Sequence, residues 1–374
     1  MIVEVSAFSA RISAKTVWTF VRARDAAGRT GWGEATLQGE AAAIHAHVAR
    51  LAPAIVRQSL PAPLAAASMA GTHGGSAAEA AAISAIDQAL WDIAAQERGQ
   101  PLARALGSPR RSTVELYANI NRGTLERRPA GFAARARAAA SGGFAAIKIA
   151  PFDDVRPESV ATPEGRRLVA AGIERIAAVR DAIGPGRALL VDCHWRLTEA
   201  AAGAILRELE PLRLYWFECP LPEEPGNFAA LRRLRSQANA AGVRLAGCES
   251  LTGVAAFESF LDAGVYDAIM PDVKYAGGLL EILRVGDAAE RHGTICSPHN
   301  PSGPIAHAHS VHVSALLADC PFLEFQQGES PLFFELIEGT LPDPEKGSSV
   351  IPAGNGLGVG IDFDRLRPLL LQGA

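Results

Sequence analysis

The sequence predicts a (β/α)8 barrel with an α+β capping domain, and three observations carry that prediction. The chain is long, 374 residues, with 48% hydrophobic and 20% charged residues, which suits one large barrel or several smaller units. Beyond about residue 113, short apolar runs alternate with amphipathic helical segments. Six polar residues close successive runs at Asp192, Glu218, Glu249, Asp272, His299 and Glu324, with separations of 26, 31, 23, 27 and 25 residues. Each separation is the length of one βα unit, and functional groups of such barrels sit where strands end.

Residues 1–35 read as a meander. MIVEVSAFSARI alternates polar and apolar positions, a turn follows around Ser13–Lys15, WTFVRARD runs back, and AAGR turns into TGWGEAT. Residues 38–107 carry apolar spacing at i, i+3 and i+4, clearest in EAAAISAIDQALWDIAAQERG. Strands followed by helices make an α+β unit, assigned to residues 1–112. The barrel is assigned to residues 113–335, with strands at VELYANI, AAIKIA, ALLVDCH, LYWFECP, RLAGCE, AIMPDV, TICSPH and FLEFQ. The tail, residues 336–374, contains IPAGNGLGVGIDFD and is expected to return to the capping domain.

The composition excludes several classes. A net charge of -4 with abundant apolar residues is incompatible with intrinsic disorder. No run of Lys or Arg offers a footprint for nucleic acid or an anionic membrane. The alanine-rich segments carry charges and have helical, not membrane-spanning, lengths, and the N-terminus lacks the pattern of a secretion signal. A soluble, cytoplasmic homo-oligomer is expected. The five cysteines lie at least 24 residues apart without a CxxC pair, so a structural zinc site is not expected and a reducing compartment is. Only four of the 36 basic residues are lysines: Lys15, Lys148, Lys274 and Lys346. Arg cannot act as a base, so a retained lysine marks a place where a compact or deprotonatable ammonium matters.

Strand parity refines the rim. Cys193, Cys219 and Cys248 each adjoin a carboxylate and should point outwards as small core residues. His194 should share the face of Asp192, and Lys148 ends the second strand facing inward. Lys274 shares parity with Asp272 but sits further into the loop. Asp192, Glu218 and Glu249, on adjacent strands without a basic neighbour on those strands, suit a hard divalent cation such as Mg²⁺. Asp272 beside His299 suggests a carboxylate that orients an imidazole base. Asn119 and Asn121 share one face of the first strand, to contact substrate or fill the barrel. HAHSVH, with His307, His309 and His312, falls on a helix where nothing converges, and packing or exposure accounts for it. The Gly-rich THGGS around His73 does not follow a strand and makes a poor phosphate cradle.

The ordered set VDCH, FECP, GCES, MPDVKYAGG, SPHNPSGP and FLEF resembles the enolase superfamily, in particular its mandelate racemase subgroup of acid-sugar dehydratases and racemases. The resemblance extends to AISAIDQALWDIAAQERGQPLARALG and to the tail GLGVGID, and so covers nearly the whole chain. It implies that Asp192, Glu218 and Glu249 are Mg²⁺ ligands, that Asp272 and His299 form the base dyad, and that Glu324 is the eighth-strand acid on the enediolate. Racemases of this type carry Lys-x-Lys on the second strand, whereas this chain has Lys148-Ile149-Ala150. DCHWR resembles the Asp-x-His-x-Arg of the galactonate dehydratase group, which implies His194 as general acid; its alternative is a hydrogen bond to the rim carboxylates. Lys148 is left between binding the substrate carboxylate, stabilising charge and serving as a second base. The expected activity is Mg²⁺-dependent dehydration of a sugar acid to a 2-keto-3-deoxy acid, in which a protonated Glu324 helps hold the developing charge. The alternatives are racemisation or epimerisation and a non-catalytic metal-binding barrel. Substrate selection is expected from loops near Ser13–Trp18 and from PFDDV.

Overall fold

A computed structural model describes residues 1–57 and 75–371; His73 lies outside them. The antiparallel meander consists of β1 (Ile2–Arg11), β2 (Val17–Asp25) and β3 (Thr30–Glu34). Asp25 builds the second turn, its Oδ1 accepting from the backbone N–H of Ala27 at 3.0 Å and of Arg29 at 2.9 Å. Helices α1 (Ala41–Ile55) and α2 (Ala77–Glu97) cover this sheet. Ser76 caps α2 by accepting from the Glu79 N–H. The glycines of TGWGE let that helix approach. A Cβ at Gly31 would lie 2.0 Å from the Ala89 carbonyl oxygen, and one at Gly33 would lie 2.0 Å from that of Ala85.

After the short helix α3 (Leu102–Leu106), eight parallel strands form the barrel: β4 (Thr113–Asn119), β5 (Ala146–Ile149), β6 (Ala188–Asp192), β7 (Trp216–Glu218), β8 (Arg244–Gly247), β9 (Ala268–Ile269), β10 (Ile295–Cys296) and β11 (Leu323–Gln326). Pairing runs β10-β9-β8-β7-β6-β5-β4-β11. The seam between β10 and β11 closes with isolated bonds, such as Ser297 Oγ to the Phe322 carbonyl at 2.6 Å. Helices α4 (Pro129–Ser141), α5 (Pro163–Ile183), α6 (Glu199–Leu209), α7 (Phe228–Ala240), α8 (Val254–Ala263), α9 (Leu279–Arg291) and α10 (Pro304–Ser314) alternate with the strands.

Strand alternation separates two cores. Leu116, Ile147, Leu189, Val191, Phe217 and Leu245 join the large cluster under the helices. Tyr117, Ala146, Leu190, Trp216, Ala246 and Ala268 fill the barrel interior, where small alanines accommodate the edge-to-face Tyr117–Trp216 pair. The tail divides its contacts. β12 (Ile337–Gly339) pairs with β14 (Val359–Ile361), Phe363 meets Phe8 edge-on at 4.9 Å, and the Leu371 N–H donates to Ser9. Between them, β13 (Ser348–Val350) runs antiparallel to the start of barrel strand β4. No helix among the described residues is long and apolar enough to cross a membrane.

Candidate active site

Five of the six rim residues picked from spacing lie at or just beyond the C-terminal ends of their strands, and Glu324 lies within its strand. Asp192 and Glu218 end β6 and β7, Glu249 follows β8, Asp272 and His299 follow β9 and β10, and Glu324 lies on β11. Lys148 reaches the same mouth from β5. The carboxylates of Asp192, Glu218, Glu249, Asp272 and Glu324 are all buried. Four non-glycine residues just beyond the strands carrying the first three acids have positive φ: His194 (46°), Trp195 (58°), Cys219 (45°) and Cys248 (72°). Backbone in this region concentrates at functional sites.

The three metal-type acids have no basic neighbour on their own strands, but a lysine reaches them from β5. Lys148, only 1% exposed, places Nζ 2.7 Å from Glu218 Oε1 and 3.0 Å from Glu324 Oε1. Burial alone would lower its pKa, but the two carboxylates outweigh burial and hold it well above the ordinary lysine value. These contacts favour the ammonium form, which places positive charge beside the rim acids. Lys148 bears on Glu324 as well. Its Oε1 also accepts from Asn119 Nδ2 at 2.6 Å, and its Oε2 accepts from the Asn300 N–H at 2.9 Å. Burial raises its pKa, yet Lys148, His299 and these donors bring it below the usual carboxylate value. These contacts favour the carboxylate over the neutral acid that the resemblance implies.

Ligand atoms of Asp192, Glu218 and Cys219 lie within 4.8 Å of one another. Cys219 was expected to point outwards. It does not join the outer core, whereas Cys193 and Cys248 do. Burial pushes the Cys219 thiol up, further aided by Glu223 and the rim acids, so it stays protonated. Glu249 stands outside this tight group. Its Oε2 lies 3.5 Å from His299 Nε2 and has no hydrogen-bond partner although buried.

His299 Nδ1 lies 2.7 Å from Asp272 Oδ2, which places a proton on Nδ1 and turns Nε2 to the mouth. Burial disfavours the imidazolium, but Glu249, Glu324 and Asp272 together raise its pKa above the ordinary value. The sequence reading left Lys274 out in the loop. It is buried, its ammonium pairs with Asp272 Oδ2, and its N–H donates to Asp272 Oδ1 at 2.8 Å. Its parity with Asp272 and the scarcity of lysine were the available signals. Tyr275 and Asn300 carried no such signal; the Tyr275 hydroxyl stands 3.3 Å from His299 Nδ1.

On the opposite side, His194 Nε2 is 2.7 Å from Asp192 Oδ2, and its backbone N–H donates to Asp192 Oδ1 at 2.8 Å. Its Nδ1 is 3.8 Å from Asp153, in the PFDDV loop, which Arg127 holds by an ion pair. Burial opposes the imidazolium, but Asp192 and Asp153 raise its pKa well above the ordinary histidine value. At the other loop singled out, the Thr16 hydroxyl bonds Glu329, and Trp18 meets Phe333 edge-on. Asn121 Oδ1 accepts from the Ala150 N–H at 2.6 Å.

His307, His309 and His312 are packed, not exposed. They bond Asn300, the Trp32 carbonyl and the backbone of Ala103 and Leu357.

A (β/α)8 barrel with an acidic rim and an α+β cap defines an enolase-like architecture, and comparison with known proteins agrees. The enolase C-terminal domain-like family model matches residues 131–365, and that of the mandelate racemase / muconate lactonizing enzyme N-terminal domain matches residues 4–107. The chain belongs to this mandelate racemase and muconate lactonizing enzyme family of the enolase superfamily. It is 32% identical over 301 residues to the D-galactonate dehydratase of Verminephrobacter eiseniae (strain EF01-2), covering 79% of this chain and 75% of that one. It is 34% identical over 283 residues to the D-gluconate dehydratase of Thermoproteus tenax, covering 76% of this chain and 55% of that one. Two solved structures superpose over its length. The mandelate racemase/muconate lactonizing enzyme-like protein of Rubrobacter xylanophilus DSM 9941 has a TM-score of 0.86 and 26% identity, covering 99% of this chain and 97% of that one. The 3,6-anhydro-D-galactonate cycloisomerase of Zobellia galactanivorans has a TM-score of 0.83 and 26% identity, covering 99% of each.

Proposed function

We propose that this protein dehydrates a sugar acid, a carboxylate with α- and β-hydroxyls, to a 2-keto-3-deoxy acid with Mg²⁺ bound at the rim. The observation that carries the reading is an asymmetry: Asp272–His299 stands on one side of the acidic cluster and His194 on the other. The dehydratase names of the galactonate and gluconate relatives point the same way.

The residues fit a hard cation. Asp192, Glu218 and Glu249 offer carboxylate oxygens from three adjacent strands, and Glu249 Oε2 is a buried acceptor without a hydrogen-bond donor. When bound there, the cation stabilises negative charge developing on the substrate carboxylate. His299 Nε2 takes the α-proton while Asp272 holds the ring through Nδ1. The C–H electron pair moves into the carboxylate, forming an enediolate, and the Lys148 ammonium adds positive charge beside it. His194 protonates the β-hydroxyl, which departs as water as the enediolate electrons form the new double bond. The resulting enol tautomerises to the keto acid.

Racemisation or epimerisation would need a second base. Ala150 supplies none and Lys148 is bound to two carboxylates. The test is a panel of mono- and diacid sugars, including D-gluconate and D-galactonate, assayed with Mg²⁺ for keto-acid product and in D₂O for deuterium in recovered substrate. Keto acid supports the reading, and its loss on chelation with recovery on Mg²⁺ supports the metal assignment. Interconversion of α-epimers without keto acid would replace dehydration with epimerisation. Absence of both across the panel would favour a non-catalytic metal-binding barrel.

A further inference from the structure

The 2.7 Å contact between Asp272 and His299 joins loops of two different βα units. The strands beneath them, β9 and β10, are the shortest of the described barrel, two residues each, and their ladder supplies little to fix one loop against the other. Nor do the helices that follow cap themselves. Gly278 precedes α9 and Gly303 precedes α10, and neither offers a capping side chain.

The missing partners come from the capping domain. Glu34, the fully buried last residue of β3, accepts from the Gly303 N–H at 2.8 Å and the Ala306 N–H at 2.9 Å, so it caps α10 from another domain. Gln88 on α2 donates through Nε2 to the Val273 carbonyl at 2.8 Å, next to Asp272. Its Oε1 accepts from the Glu34 N–H at 2.9 Å. One turn of the same helix adds Ser84, accepting from the Gly277 N–H at 3.0 Å, and Asp87, accepting from the Leu279 N–H at 2.7 Å.

We propose that Glu34 and Gln88 are positioning residues for the proton-transfer pair: linked to each other, they clamp the Asp272 loop with one side chain and the His299 loop with the other. That these loops carry a proton-transfer pair rests on the function proposed above; the clamp itself rests on the bonds described. The capping domain thereby sets the geometry of the base.

Asp92 provides the control. It lies on the same helix, is equally buried and accepts from the N–H groups of Trp32 and Leu357, but bonds neither loop. Gln88→Leu, Glu34→Gln and Asp92→Asn are compared as full-length protein. Ring-¹⁵N-histidine spectra read the His299 nitrogens, with His299→Asn identifying the signals and Asp272→Asn marking an unpaired ring. Gln88→Leu and Glu34→Gln should shift the His299 nitrogens toward the Asp272→Asn values, whereas Asp92→Asn should lower the thermal midpoint and leave them in place. With whichever acid of the panel turns over, kcat should fall by up to about 10²-fold in the clamp variants while KM stays within about twofold, since small misplacement is costly to a chemical step. Should Gln88→Leu fail to fold, Glu34→Gln keeps the side-chain volume and makes the same comparison. Native His299 signals in the folded clamp variants would overturn the proposal. Because the spectra need no substrate, that failure is distinct from a failure of the dehydratase reading.

Discussion

Two groups of histidines are treated oppositely by the fold. His194 and His299 stand at the barrel mouth; His307, His309 and His312 line α10, where it meets the capping domain, α3 and the tail. Burial opposes the imidazolium in both groups. At the mouth, carboxylates overrule it and both pKa values rise. On α10 the partners are amides and carbonyls, and the values drop to about 3 for His307 and His309 and about 4 for His312. The dense HAHSVH motif is thus a set of neutral hydrogen-bonding struts, and the scattered histidines are the ones to which the proposed function gives proton transfer. Histidine chemistry here follows from the neighbouring carboxylates, not from the number of histidines.

The sharpest way to break this comparison is to remove the base. His299→Asn should slow α-proton exchange in D₂O by about 10²–10⁴-fold, the usual worth of a positioned general base. Exchange at the parent rate would move the base to another residue. Next in size is the charge balance of the mouth. Lys148→Met leaves Glu218 and Glu324 buried without their cation and should cost about 3–5 kcal/mol in urea unfolding, as breaking a buried ion pair does. An unchanged midpoint would mean that the two acids are neutralised some other way.

His194→Asn should retain α-proton exchange while dehydration falls by about 10²-fold or more, because enolisation does not need the acid. Normal dehydration in that variant would reduce His194 to a hydrogen-bond partner of Asp192. A fully concerted elimination would remove exchange as well, so retained exchange is the more diagnostic outcome.

The smallest effect concerns the neutral group. With native values of about 3 to 4 against an ordinary 6.5, the unfolded chain takes up protons that the folded chain refuses as pH falls below about 6.5. These histidines therefore add stability above that pH, and the contribution is progressively lost as pH drops toward 3 to 4. His309→Gln keeps a donor for the Trp32 carbonyl and should remove about 2 kcal/mol of the stability lost between pH 7 and pH 5, measured by urea unfolding at each pH. An identical pH dependence would show that His309 titrates alike in both states.

Much of this molecule follows from local pattern. The meander, the eight strands and the rim at Asp192, Glu218, Glu249, Asp272, His299 and Glu324 were legible because side-chain alternation and βα length are written in consecutive residues. Pairing was not legible, because it joins residues far apart whose approach is set by strand register and domain docking. Lys148 finds Glu218 70 residues away, which favours its ammonium form, and the contacts of Glu324 pull its pKa below the usual carboxylate value. Cys219 brings its Sγ close to the carboxylates of Asp192 and Glu218. Lys274 is buried against Asp272, and Glu34 reaches Ala306 across 272 residues. The sequence by itself determined which groups line the mouth. Only the tertiary structure decided their charges and partners, because desolvation and Coulombic pairing depend on distances in space, and those exist only once the barrel has closed and the cap has docked.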